Sequence, residues 1–87
     1  MISLNQISKS IPEGSRFCMS EVIIRQKDRV QLQSNFHYST SSGGVSGSKF
    51  ADLHIDSTEE EVVRALLELK AKVTDYFITT QKIEIRE

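Results

Sequence analysis

The stretch Val30-Gln31-Leu32-Gln33-Ser34-Asn35-Phe36-His37-Tyr38 decides the fold class. In an extended chain, Val30, Leu32, Phe36 and Tyr38 fall on one side, and Gln31, Gln33, Asn35 and His37 on the other. A period of two predicts a strand with one face in a core and the other facing water. Such a strand needs neighbours, and the chain supplies one on each side.

Upstream, Arg16–Gln26 contains the β-branched run Val22-Ile23-Ile24, which favours a strand. Gln26-Lys27-Asp28-Arg29 is the place to reverse, although it lacks the Asn-Gly or Asp-Gly signature that would fix the turn type. Turning Val22 and Ile24 inward leaves Phe17, Met19 and Ile23 on the far face. Downstream, Phe50-Ala51-Asp52-Leu53-His54-Ile55-Asp56 alternates again, with Ala51, Leu53 and Ile55 inward and Phe50 outward. Between these strands lies Ser39–Ser48, in which nine of ten residues are Ser, Gly or Thr. It reads as a flexible connection over 39–48, longer than an ordinary hairpin loop.

Helices flank this sheet. Ser3-Leu4-Asn5-Gln6 has the form of a capping box, with Leu4, Ile7 and Ile11 following at helical spacing until Pro12. Ser57-Thr58-Glu59-Glu60 opens a longer helix, whose apolar stripe runs through Val62, Leu66, Leu69, Val73 and Tyr76, with Val63 and Phe77 alongside. No Gly or Pro ends this helix before Glu87. The β-branched Ile78-Thr79-Thr80 and the alternating Lys82-Ile83-Glu84-Ile85-Arg86 favour a fourth strand over a continued helix.

The expected fold is α+β, in the order α-β-β-β-α-β. A three- to four-stranded antiparallel sheet packs on one long helix, with a short N-terminal helix. The expected core is Val22, Ile24, Val30, Leu32, Phe36, Tyr38, Leu53, Ile55, Val62, Leu66, Leu69 and Val73. The 87 residues predict a single domain spanning 1–87.

Composition narrows the function. Hydrophobic residues make up 38% and charged residues 26%, as in soluble globular proteins. One cysteine, Cys18, excludes an internal disulfide and suits a reducing compartment. The start Met1-Ile2-Ser3-Leu4 lacks a signal-peptide pattern, and no apolar stretch is long enough for a membrane span, so a cytoplasmic location is expected. The net charge of −1 excludes an overall basic footprint for nucleic acid. The charge is nevertheless polarised. Residues 1–50 carry six Lys/Arg against three Asp/Glu, and residues 51–87 five against nine.

The Ser/Gly run ending in Lys49 invites comparison with a phosphate-binding loop, and fails it. Gly43 and Gly47 are too close, Ser48 separates Gly47 from Lys49, and Phe50 stands where a metal-binding hydroxyl is required. The strand pattern that follows also lacks the helix N-terminus that such a loop needs. Cys18, His37 and His54 have no spacing that defines a catalytic pair, and Asp52, His54 and Asp56 lack a second ligand cluster. No enzyme, cofactor or metal is therefore expected.

Candidate contact residues remain. Phe17, Met19, Ile23 and Phe50 share a far face with Gln31, Gln33, Asn35 and His37, unless Leu4, Ile7 and Ile11 of the first helix cover it. Arg25, Lys27 and Arg29 fall on one side if their strands continue, and with Lys49 form a basic set suited to phosphates. Asp56, Glu59, Glu60 and Glu61 serve first as helix-start acids and second as an acidic contact patch.

The α-β-β-β-α order resembles that of double-stranded-RNA-binding domains. Where that family carries lysines at the start of its last helix, this chain reads Ser57-Thr58-Glu59-Glu60-Glu61, which repels phosphate, so the family's function is not carried over. In outline the chain is also similar to small phage-encoded inhibitors such as anti-CRISPR proteins, down to the join Ile55-Asp56-Ser57-Thr58-Glu59. That resemblance implies a non-enzymatic module that binds, and blocks or modulates, a larger cytoplasmic protein. A homodimer and a nucleic-acid complex through the basic hairpin are the other partners to consider.

Overall fold

A computed structural model describes residues 2–87. The elements run α1 (Leu4–Ser10), β1 (Arg16–Arg25), β2 (Arg29–Thr40), β3 (Gly43–His54) and α2 (Glu59–Gln81). The strands form an open antiparallel sheet in the order β1-β2-β3. The fold of the described residues is therefore α+β, with three strands and two helices.

Strand β2 behaves as its alternation requires. Val30, Leu32, Phe36 and Tyr38 are buried, as is Ser34 between them. Two apolar clusters form on this side. Val30 and Leu32 join Val62 and Leu69 of α2. Phe36 and Tyr38 join Ile7 of α1 and Val73 and Phe77 of α2. Ser34 lies between the clusters, fully buried, and its Oγ has no hydrogen-bond partner.

The second cluster is aromatic. The ring of Phe77 lies 4.3 Å from Phe17, 5.2 Å from Phe36 and 5.0 Å from Tyr38, centroid to centroid. Phe77 is thus the buried end of the α2 stripe, four residues beyond Val73, while Tyr76 flanks it half-exposed. Phe36 also lies over Gly47 of β3. A Cβ at Gly47 would overlap Phe36 Cε1, so the missing side chain is what lets the ring lie flat on the sheet.

The predicted capping box on Ser3 with Gln6 forms. The second lies one residue later than Ser57-Thr58-Glu59-Glu60 suggested, on Thr58 with Glu61, because Thr58 and not Ser57 is the N-cap. The end of α2 differs from expectation. The helix continues through Ile78-Thr79-Thr80 to Gln81, and Lys82 closes it in the left-handed conformation (φ 53°), its N–H donating to the Ile78 carbonyl. Residues 83–87 do not form a strand. The alternation there has another use. Ile83 and Ile85 pack against the aromatic cluster, and the Arg86 N–H donates to Ser10 Oγ at 2.7 Å.

The Ser/Gly segment is also corrected. Ser39 and Thr40 end β2, Ser41-Ser42 make the turn, and β3 begins at Gly43. The expected ten-residue connection is a two-residue turn. The Thr40 hydroxyl holds it, donating to the Gly43 carbonyl and accepting from the Ser42 N–H. Gly43 supplies a φ of +143°. Small side chains disguised this segment because they have low strand propensity, yet register with β2 carries it.

The largest correction concerns β1. It pairs with β2 so that Arg25 opposes Val30, Ile23 opposes Leu32, Met19 opposes Phe36 and Phe17 opposes Tyr38. Residues directly opposite point to the same side. Phe17, Met19, Ile23 and Arg25 therefore lie on the side of the two clusters, while Val22 and Ile24 lie on the far side. Ile55, expected in the core, is exposed as well. Apolar residues occupy both parities of β1, so its own pattern cannot choose a face. The turn chooses it. The Gln26 N–H donates to the Arg29 carbonyl at 2.9 Å, closing the hairpin around Lys27-Asp28, and one residue of slip would invert the strand.

Candidate functional site: the open sheet face

Helix α1 does not cover the far face of the sheet. Its Ile7 sits in the same cluster as Val73 and Phe77, so both helices lie on one side. The far face is bare, and strand register defines it row by row.

Val22 opposes Gln33, which opposes Phe50. Ile24, Gln31 and Asp52 form the next row, and Arg29 pairs with His54 at the end. In the other direction come Ser20-Asn35-Ser48 and then Cys18-His37-Ser46. One half is thus apolar at its margins, with Val22 and Ile24 each 39% exposed and Phe50 59% exposed. The other half is a polar ladder that is largely self-satisfied. Asn35 Nδ2 donates to Ser20 Oγ at 3.3 Å, Ser48 Oγ donates to Asn35 Oδ1 at 2.6 Å, and His37 Nδ1 lies 2.8 Å from Ser46 Oγ. Covering such groups costs less than covering free ones, because they keep their partners when water leaves.

The expected contact residues divide between the two sides. Phe50 is on the open face. Phe17 and Met19 pack against the aromatic cluster, and Met19 Sδ lies 3.6 Å from the Thr74 hydroxyl. Ile23 lies on the same side as these two but at the free edge of β1, where it is exposed. Lys49 opposes Ser34, also on the helix side, with Nζ 5.0 Å from the ring centroid of Tyr76.

The basic hairpin does not form the common side expected for it. Arg25 and Arg29 lie on opposite sides, because odd-numbered residues face the helices in β1 and the far face in β2, with Lys27 in the turn between them. Arg29 is also engaged, 3.7 Å from Asp52 and 4.0 Å from Asp28. At the helix start, Glu61 is a capping residue. Its Oε1 accepts from the Thr58 N–H at 3.0 Å, and hydrogen bonds from the Thr58 backbone and side chain hold its carboxyl below the usual range. Asp56 turns back to His54, 3.6 Å away, while Glu59 and Glu60 stand exposed in the first turn.

On the covered side, a depression of about 390 Å³ lies among Ile2, Leu4, Ile7, Met19 and Glu21, with the ion pair Lys70–Glu21 (2.8 Å) along it. No group of three or more His, Cys, Asp or Glu residues suited to a metal occurs among the described residues. No described helix is long and apolar enough to cross a membrane.

No family model, curated protein or solved structure matches this chain. The site must be read from its own geometry.

The residues that sequence reasoning missed are Val22 and Ile24. A turn with an even number of residues between the strands, as Lys27-Asp28 makes, rather than an odd number, was the signal that would have placed them.

Proposed function

We propose that the chain is a non-enzymatic protein-binding module whose open sheet face docks on a larger protein and thereby inhibits or modulates it. The observation that carries this reading is the bare face itself, with Val22, Ile24 and Phe50 exposed beside a ladder of polar groups already bonded to one another. A mixed surface of this kind, apolar at one end and hydrogen-bonding at the other, matches the composition of non-obligate protein interfaces. The small-inhibitor class that the chain resembles in outline fits the same reading, as does a cytoplasmic setting for a protein with one exposed, unpaired cysteine.

A phosphate-binding role is less favoured on a specific observation. Arg29 is paired with Asp52 and Asp28, and Arg25 faces the opposite side, so the hairpin offers no converging cations.

The test compares the wild type with the triple variant Val22→Lys, Ile24→Lys, Phe50→Lys as affinity baits in a host lysate. Circular dichroism should show the variant folded, since all three side chains are exposed. The expected result is a discrete protein retained by the wild type and lost from the variant. Equal retention by both baits, or retention by neither, overturns the reading. Salt-sensitive retardation of DNA or RNA probes would move it to nucleic acid.

A further inference from the structure

The free edge of β3 goes beyond the open face, because it presents backbone rather than side chains. Hydrogen-bonding directions alternate along an antiparallel strand, and the Gln26–Arg29 bond sets their phase. Odd-numbered residues of β2 bond to β1, and even-numbered residues bond to β3. The pairing of Thr40 with Gly43 carries the phase across. In β3, Val45, Gly47, Lys49, Ala51 and Leu53 therefore direct their N–H and C=O groups to β2. Gly44, Ser46, Ser48, Phe50 and Asp52 direct theirs outward, to the edge.

This edge carries one of the usual protections, the inward-pointing Lys49, and lacks the others. The chain's only proline is Pro12, outside the sheet. Register with β2 runs unbroken from Gly43 to His54, so no bulge bends the strand. From Gly43 to Ala51 the only charged residue is Lys49, and it is turned inward over Tyr76. Asp52 is held by Arg29. A long edge with a single such device is a template for another strand. β1 differs. It carries Arg16, Glu21 and Arg25 and is bordered by α1, with Glu21 tied to Lys70.

We propose that two copies of this chain pair antiparallel through their β3 edges, extending the sheet to six strands across a twofold axis. Matching faces require opposed residues of equal parity, and two registers give the longest overlap. One centres on Lys49 and sets the two ammonium groups directly opposite each other, which is unfavourable. The other centres on Ser48. It opposes Lys49 to Gly47 of the second copy, Phe50 to Ser46 and Asp52 to Gly44, with no like charges opposed. Gly44, Ser46, Ser48, Phe50 and Asp52 are then the residues that exchange backbone hydrogen bonds. The Ser48-centred register is the one assigned. It joins the two open faces into one continuous surface.

The test is the mass of the full chain in solution by light scattering and sedimentation, from about 5 µM to about 500 µM. The expected species is a dimer of 9.9-kDa chains. Ser48→Pro removes an outward N–H and keeps every backbone bond to β2, losing only the exposed Ser48 Oγ–Asn35 Oδ1 bond, and should give a monomer with an unchanged circular dichroism spectrum. Ile23→Pro makes the equivalent change at the β1 edge and should leave the dimer intact. Should Ser48→Pro not fold, Ser48→Lys decides. It opposes two ammonium groups at the axis, so dimer dissociation should be about tenfold stronger at low salt and recover in about 0.5 M salt. A wild type that is monomeric throughout overturns the proposal. So does a dimer that survives Ser48→Pro or is indifferent to Ser48→Lys, or one dissociated by Ile23→Pro. The face variants of the preceding section lie outside these outcomes, because a monomer can still dock through its face.

Discussion

The two sides of the β1-β2-β3 sheet are built from the same three strands and have opposite fates. One side carries two apolar clusters shared with α1 and α2. The other carries Val22, Ile24 and Phe50 in the open, beside hydroxyl, amide and imidazole groups that bond laterally. Hydrophobicity alone does not separate them, since Val22 and Ile24 are as apolar as the residues that are buried. What separates them is which parity of β1 falls opposite Val30, Leu32, Phe36 and Tyr38.

The comparison breaks most severely at Phe77, which touches Phe17, Phe36 and Tyr38 from α2. Phe77→Ala should lose about 3–5 kcal/mol in urea unfolding, because three rings are left around a void. In a domain of this size such a loss leaves little residual stability. Loss below 1 kcal/mol would mean that the aromatic cluster is not the centre of the fold.

Gly47→Ala tests the contact between the sheet and its own aromatic ring. The new methyl group meets Phe36, whose ring is confined by Phe17 and Phe77, so a destabilisation of about 1–3 kcal/mol is expected from overpacking. Gly44→Ala, where the nearest atoms are at ordinary contact distance, should cost distinctly less in the same melts.

Ser34→Ala should act in the other direction. Its Oγ is buried between the clusters without a partner, so removing it should raise stability by about 1 kcal/mol. A clear destabilisation would show that the hydroxyl has a partner in solution.

On the open side, Phe50→Ser should change stability by no more than about 0.5 kcal/mol, although Phe50 is as large as Phe77. A similar loss at both positions would erase the distinction between the sides.

The smallest effect is at the start of α2. Thr58 holds the Glu61 carboxyl below the usual range, so its contribution is present above the pKa of the unfolded chain and is lost as pH falls through the lower folded value. A carboxyl titration followed by NMR should place Glu61 below the usual carboxylate range. Thr58→Ala, which removes the side-chain one of the two hydrogen bonds, should bring it back up towards that range.

Much of this fold was legible in the residues. The alternation of Val30–Tyr38 identifies the central strand, Ser3-Gln6 identifies the first helix start, and Ser57-Thr58-Glu59-Glu60 places the second within one residue of its true cap, Thr58 with Glu61. These are local patterns with local causes, either side-chain parity along an extended chain or a hydroxyl within reach of a free N–H. Phe50 on the far face followed from the same parity argument. The start of β3 was hidden because Gly and Ser have no strand preference of their own and are ordered by the neighbouring strand. The end of α2 was hidden because β-branched Ile78-Thr79-Thr80 disfavour a helix only weakly, while Ile78 adds to the core if the helix continues.

By itself, the sequence determined that there is a half-buried central strand and two capped helices. Tertiary structure alone decided which side of β1 is buried, where α1 rests and therefore that a whole sheet face is left open. The physical reason is register. Phe17, Met19 and Ile23 compete with Val22 and Ile24 on nearly equal terms within the strand. The competition is settled outside it, by a two-residue turn at Lys27-Asp28 and by Phe77, which reaches Phe17 from the far end of the chain.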